Sequence, residues 1–289
     1  MGLWKKIILL ALCVPTIAQA HSNVKLFDVK QYHKGKVVLL TNDYGTNIGI
    51  ISSKTGLLLI DPMPGGEALN DLENWIKTHT PKPVLYVANT HQHNDHTGGN
   101  TYFKNKGAEI LNLTGHSLNS GSALEFKVNF KTFGLKAFNV TSHTDKDHLY
   151  FHAKSNMLFV GDVFDNSWHP TFYAGGIKGF TKTIEKILSI GDEHTLVVPG
   201  HGLPANKTVV KAFYNNTLVW LTRMSELVKE GLTVEQMMAD KKLNEILQRF
   251  NTEKKQEFLP QRAFKRFIER TITIVGSSQW QKYFIEVNR

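Results

Sequence analysis

Four short apolar runs in this chain each lead into a side chain able to bind a metal ion. Residues 83–88 (PVLYVA) lead to His91, 135–140 to His143, 157–160 to Asp162 and 195–198 to His201. Runs of this length, rich in apolar and β-branched residues and bounded by Pro, Gly or Asn, read as buried strands. All four polar residues therefore fall on loops just past strand ends. The first loop is the most crowded, with His91, His93, Asp95 and His96 inside the stretch 91–96.

The remaining pattern supplies the layers. Further strands are predicted at residues 24–29, 37–41, 47–52, 56–60 and 148–152, the fourth ending at Asp61-Pro62. A helix is predicted at 67–78, where Leu69, Leu72, Trp75 and Ile76 recur at helical spacing, and another at 178–190. From about residue 205 the pattern is helical, notably over 208–229 and 263–275. Mixed strands then a helix, done twice, predicts a layered α/β fold rather than a bundle or a β-sandwich.

The first twenty residues, MGLWKKIILLALCVPTIAQA, are set apart from that fold. Lys5 and Lys6 precede an apolar run over 7–17, and Ala18-Gln19-Ala20 is a small-x-small cleavage signal. The run is shorter than the roughly 20 apolar residues needed to cross a bilayer. The expectation is an export signal cleaved after Ala20, against an uncleaved anchor, with no stable membrane insertion afterwards and a periplasmic or secreted product. Cys13, the single cysteine, lies in this leader, and Leu12 before it argues against lipid attachment. Removing 20 of the 289 residues leaves 269 with no thiol for a disulfide, a nucleophile or a metal. Net charge falls from +9 to +7, because the leader carries two lysines and no acid. The basic residues are scattered among acids, as in 241–258, which reads as a solvated face and argues against a nucleic-acid partner. No repeat or long linker divides the chain, so residues 21–289 are expected to form one domain with a helical extension from about 205. The sequence leaves the oligomeric state open.

Zinc binds neutral imidazole and carboxylate, and a catalytic site needs only three protein ligands. The 91–96 loop already offers four, and His143, Asp162 and His201 raise the set to seven, which fits two metals sharing a carboxylate. A pair of metals about 3.5–4 Å apart can activate a water and stabilise the oxyanion it forms. His91-Gln92-His93-Asn94-Asp95-His96 resembles the H-x-H-x-D-H signature of the metallo-β-lactamase superfamily, and His143, Asp162 and His201 match its later motifs in order. Asp61, closing LLLID, resembles the family's early aspartate that supports the metal loop from behind. The resemblance runs from about residue 37 to 205. It implies a four-layer αββα sandwich with the metals at one edge of the sheets, here with extra C-terminal helices. It also implies that His91, His93 and His143 hold one zinc ion and Asp95, His96 and His201 a second. Asp162 would bridge them, and Asp95 would also orient the attacking hydroxide. Iron and manganese suit the same ligands.

Asp162 stands where the secreted β-lactamase branches carry cysteine or serine, and so resembles the glyoxalase II-like and lactonase-like branches. The expected function is an exported, zinc-dependent hydrolase whose metal-bridged hydroxide attacks an ester, thioester or lactone in a small-molecule substrate. A metallo-β-lactamase is the alternative, favoured by export. From another class comes a non-haem iron redox enzyme of the same fold, against which His96 counts. A scaffold on a decayed enzyme fold is disfavoured, because no ligand position is missing. The aromatic segment after the bridging position offers Trp168, His169 and Tyr173 as substrate contacts, Tyr173 as an oxyanion donor; the competing reading is that these rings pack the loop onto the sheet. Asp145 and Asp147 stand between orienting a ligand histidine and shaping a turn. His148, His152, His169 and His194, outside the motifs, read as structural, His169 with the substrate-contact role above as its alternative.

Overall fold

A computed structural model of the protein describes residues 27–41, 46–63, 66, 68–111 and 129–287. The leader, residues 1–20, lies outside the described residues. The first half of the chain comprises β1 (Asp28–Tyr32), β2 (Val37–Thr41), β3 (Asn47–Ser52), β4 (Leu57–Ile60), α1 (Leu69–His79), β5 (Val84–Ala88), α2 (Asn94–Thr97), α3 (Asn100–Lys104) and β6 (Glu109–Leu111). The second half comprises α4 (Asn129–Phe133), β7 (Leu135–Val140), β8 (Asp147–His152), β9 (Met157–Gly161), α5 (Gly176–Ser189) and β10 (Leu196–Pro199). It continues as α6 (Lys207–Lys229), α7 (Val234–Ala239), α8 (Lys241–Gln248), α9 (Gln261–Val275) and α10 (Ser278–Val287).

Each half makes its own sheet: β1-β2-β3-β4-β5-β6 in order, and β10-β9-β8-β7. Pairs joined by hairpins are antiparallel, whereas β4–β5, β5–β6 and β9–β10 are parallel. Parallel neighbours need a crossover, and α1, α2 with α3, and α5 supply them.

The strands are apolar on both faces because both faces are covered. Val37, Leu39, Ile51, Leu58 and Ile60 of the first sheet meet Leu135, Ala137, Tyr150, Met157 and Phe159 of the second. Gly49 is needed here, since a Cβ would stand 2.7 Å from the Phe159 ring. The alternate residues Val38, Leu40, Ile50, Leu57 and Leu59 pack with Leu72 and Ile76 of α1. On the far side Leu149, Leu158, Val160 and Val197 share a core with Ile184 of α5, Trp220 of α6 and Phe267 of α9. The result is the four-layer αββα sandwich, with the C-terminal helices continuing its last layer. Among the described residues no helix is long and apolar enough to cross a membrane.

The first strand, expected at 24–29, lies partly outside the described residues; within them it pairs over Asp28–Tyr32, with Tyr32 opposite Val37. A tight turn with left-handed φ at His33, Lys34 and Gly35 (50°, 55° and 77°) sets that register.

Candidate metal centre

Five strands of the two sheets deliver their C-terminal ends to one edge. Asp61 follows β4, the 89–96 loop follows β5, His143 follows β7, Asp162 follows β9 and His201 follows β10. Asp61 and Gly161 turn off their strands with left-handed φ of 50° and 55°; at Asp61, which is not glycine, this is strain of a kind that persists where surrounding structure holds it. Gly200 has to be glycine, because a Cβ there would collide with Asp162 Oδ1. Asn47, at the start of β3, donates Nδ2 to Pro199 O (3.0 Å) and Gly202 O (2.8 Å). It thereby clips the His201 loop to the first sheet.

The seven ligand candidates fall into two groups sharing one member. His91, His93, His143 and Asp162 form one; Asp95, His96, His201 and Asp162 form the other, with ligand atoms in each within 4.8 Å of one another. Asp162 divides its oxygens between them. Oδ2 lies 3.8 Å from His91 Nε2 and 3.6 Å from His143 Nε2. Oδ1 lies 3.0 Å from His96 Nε2 and 3.7 Å from His201 Nε2. His201 Nε2 is also 3.2 Å from Asp95 Oδ2.

Hydrogen bonds behind the rings fix which nitrogen faces inward. Thr90 Oγ1 donates to Asp61 Oδ2 (2.6 Å), so it accepts from His91 Nδ1 (3.2 Å). Thr171 Oγ1 donates to the Asp162 carbonyl (2.8 Å), so it accepts from His143 Nδ1 (2.8 Å). Asp61 Oδ2 accepts from His96 Nδ1 (2.9 Å), while its Oδ1 accepts the Thr90 N–H (2.8 Å). Each of the three therefore turns Nε2 to the centre, as histidine ligands with a partner on the other nitrogen do. His91 Nε2 and His143 Nε2 stand 3.0 and 2.9 Å from His93 Nδ1. One proton can join only one such pair, so at least one of these nitrogens has no donor for its lone pair. His96 Nε2 and Asp162 Oδ1 are buried with no well-aligned hydrogen bond although 3.0 Å apart. Converging lone pairs, a shared carboxylate and orphaned buried atoms fit a pair of divalent cations.

Without a cation the field is uneven. Burial pushes His91 down to about 3. Burial opposes charge on His96 too, but Asp162 and Asp61 overcome it and hold this imidazole well above its usual range. Burial opposes ionisation of Asp162, and His96, His91 and His201 outweigh it, keeping the carboxyl well below the usual range. Asp95 is drawn down to about 2, chiefly by its bond to His201. Asp165 is pushed up to about 8 by burial and by the Asp162 charge.

A cavity of about 570 Å³ opens beside the second group, with Asp95, Asp162 and His201 on its floor and Trp168, Leu203 and Lys255 among its walls. Leu203 is 51% exposed, its N–H held by Glu253 Oε1 (3.0 Å) and its carbonyl by Asn166 Nδ2 (2.7 Å). The structure separates the three expected substrate contacts. Trp168 lines this cavity. His169 is buried, stacked at 4.3 Å on Phe267 of α9, because its ring completes the helical core. Tyr173 lies on the His143 side, its ring 6.4 Å from that imidazole and 4.1 Å below the Arg270 guanidinium. Among the described residues its buried hydroxyl makes no well-aligned hydrogen bond.

Asp147 shapes the loop carrying His143 by accepting from Ser142 N, Thr144 N and Thr144 Oγ1 at 2.6–3.1 Å. Asp145 accepts from Thr141 Oγ1 through its backbone carbonyl (3.1 Å). The sequence reading passed over Thr90, Thr171, Asn47, Asp165 and Leu203. Thr90 sits beside His91 and Asp165 three residues past Asp162, adjacency that could have marked them; Thr171 and Asn47 act across long separations and carry no local signal.

A sequence model of the metallo-beta-lactamase superfamily matches residues 41–110, which include the crowded histidine loop. Hydroxyacylglutathione hydrolase from Nitrosomonas eutropha is 28% identical over 163 residues, 53% of this chain and 60% of that protein. The chain thus spans under two thirds of that relative's length. Metallo-beta-lactamase IND-1 from Chryseobacterium indologenes is 26% identical over 174 residues, 55% of this chain and 72% of that one. The crystal structure of DIM-1 metallo-beta-lactamase superposes with a TM-score of 0.51 at 20% identity, over 65% of this chain and 95% of that one, a likeness of fold. The signature loop lies inside the segment matched by the metallo-beta-lactamase superfamily model, and the later ligand candidates fold onto the same sheet edge, so in this segment and in fold the chain is similar to that superfamily.

Proposed function

We propose that the protein is a metal-dependent hydrolase acting on ester, thioester or lactone bonds of small molecules. It is exported by the leader at 1–20, with residues 21–289 as one domain. The carrying observation is the carboxylate of Asp162, whose two oxygens address the two ligand groups separately. His91, His93 and His143 would hold one zinc ion and Asp95, His96 and His201 the other, with Asp162 between them. When bound, such a pair supplies Lewis acidity and stabilises negative charge developing on a carbonyl oxygen.

The chain's own residues do the rest. Asp61, Thr90 and Thr171 keep protons on Nδ1 of His96, His91 and His143 and so keep the Nε2 atoms free. Asp95, strongly ionised and about half exposed (52%), orients a nucleophilic water at the cavity floor through Oδ2. Trp168 and Leu203 give the substrate an apolar wall and exclude solvent from one side of it. Similarity to hydroxyacylglutathione hydrolases supports the thioester member of the class. A second reading, β-lactam hydrolysis, draws support from the similarity to IND-1; the carboxylate at position 162 favours the first.

The test is metal analysis of the purified protein together with turnover of nitrocefin, an aryl ester, a thioester and an acyl lactone. About two zincs per chain with chelator-sensitive turnover of an ester-type substrate is the expected result. Turnover of nitrocefin alone selects the second reading. Iron with no hydrolysis, or no metal after reconstitution, defeats both.

A further inference from the structure

The two ends of the sandwich differ sharply in charge. Opposite the metal edge, the β1–β2, β3–β4 and β8–β9 turns and the segments entering β5 and β7 enclose a second cavity of about 600 Å³. Each contributes a lysine: Lys36, Lys54, Lys154, Lys82 and Lys131 respectively. Of thirteen lining residues, five are lysines, two are histidines (His33 and His152), and none is aspartate or glutamate. Among the described residues no ion pair joins any of the five lysines to a carboxylate.

Lys82 is already held in place. Its Nζ donates to Ser52 Oγ (2.9 Å) and to the Ser53 carbonyl (2.6 Å). The Ser53 hydroxyl accepts the N–H groups of Thr55 and Gly56 (3.2 and 3.1 Å), which orders this wall. Like charges around a concavity raise its potential and concentrate anions there, and ammonium and hydroxyl donors together match phosphate oxygens. The volume lies in the range of small-molecule sites, about 300–1,000 Å³, and exceeds what one phosphate fills. Five segments closing around it suit a compact ligand rather than a rod.

We propose that this cavity is a second binding site, for a compact ligand carrying two or more phosphate-type anions, either free in solution or displayed as an anionic lipid headgroup. It is independent of the hydrolase reading, since no residue of the metal centre lines it.

The test compares the metal-loaded protein with two triple variants of equal charge. One is Lys54→Gln/Lys131→Gln/Lys154→Gln in the cavity; the other is Lys178→Gln/Lys182→Gln/Lys241→Gln on exposed positions of α5 and α8. Fructose 1,6-bisphosphate is titrated by calorimetry, and cardiolipin vesicles in a phosphatidylcholine background, whose headgroup carries two phosphates, are used for sedimentation. The expected result is Kd about tenfold or more weaker for at least one probe in the cavity triple, with the distant triple within about twofold of the parent. Vesicle binding lost only in the cavity triple, and competed by the bisphosphate, identifies the lipid source; bisphosphate binding alone identifies the soluble one. The proposal is overturned if neither probe binds the parent, or if both triples weaken binding equally. Far-UV circular dichroism and metal content confirm that each variant is folded.

Discussion

Three acceptors decide which nitrogen each buried histidine turns inward: Thr90 for His91, Asp61 for His96 and Thr171 for His143. Asp61 is the most constrained, because it accepts from Thr90 N, Thr90 Oγ1 and His96 Nδ1 together. An amide at 61 would place N–H groups against donors. Asp61→Asn is expected to weaken metal retention by roughly 10–100-fold and to cost about 1–3 kcal/mol of stability. Chelator competition and denaturant unfolding check the two effects, and unchanged retention would show that the carboxylate is not what orients His96. The ligand candidates were legible in the sequence because each follows its strand closely. The hydroxyls behind them were not: Thr171 reaches His143 across 28 positions, a pairing that only the fold creates.

At the scale of elements, four rings connect the helical layer to the cavity wall. Trp220 of α6 stacks on Phe267 of α9 at 4.4 Å, Phe267 on His169 at 4.3 Å, and His169 on Trp168 at 5.2 Å. Trp220 is fully buried and donates its indole N–H to Thr271 Oγ1 (3.1 Å). Trp220→Ala is expected to cost about 3–5 kcal/mol, read by denaturant unfolding, and to raise KM for apolar substrates by loosening Trp168. A loss below about 1 kcal/mol would mean the layer collapses around the gap. Most strands were legible as apolar runs, and the start of α6 lies near the expected position, where the Asn206 side chain caps it by accepting Val209 N (3.0 Å). The three-residue β6 was not legible. Nor was the break between α7 and α8, where Asp240 ends one helix and caps the next by accepting Leu243 N (2.7 Å).

For the molecule as a whole, stability should fall on acidification. Burial depresses His148, His152 and His169 from 6.5 to about 4. A depressed imidazole contributes stability that is present above its unfolded pKa of 6.5 and is lost as pH falls through about 4. Asp147, raised by burial from 3.8 to about 6, acts in the opposite sense, its contribution present below 3.8 and lost as pH rises through 6. Asp165, raised from 3.8 to about 8, acts in the same sense as Asp147. Three groups against two still leaves a net loss between pH 6.5 and 4. The melting temperature should therefore be lower at pH 4.5 than at pH 7, and an equal or higher value at pH 4.5 would contradict the assignment of neutral buried imidazoles. The layered architecture was legible because strands followed by a helix occur twice. The polarity of the sandwich was not, since its lysine end is gathered from residues spread between 36 and 154.

A side chain with one foot in each half of a centre makes the halves a single thermodynamic unit. The Asp162 carboxylate cannot turn toward one trio without turning relative to the other, so whatever fills one half sets the affinity of its neighbour. Such linkage is reciprocal. Loading should then proceed nearly all or none, with a metal titration of the stripped protein passing to two ions per chain without accumulating a one-ion species. Native mass spectrometry would count the intermediates. Two well-separated loading steps would mean that filling one half does not favour the other.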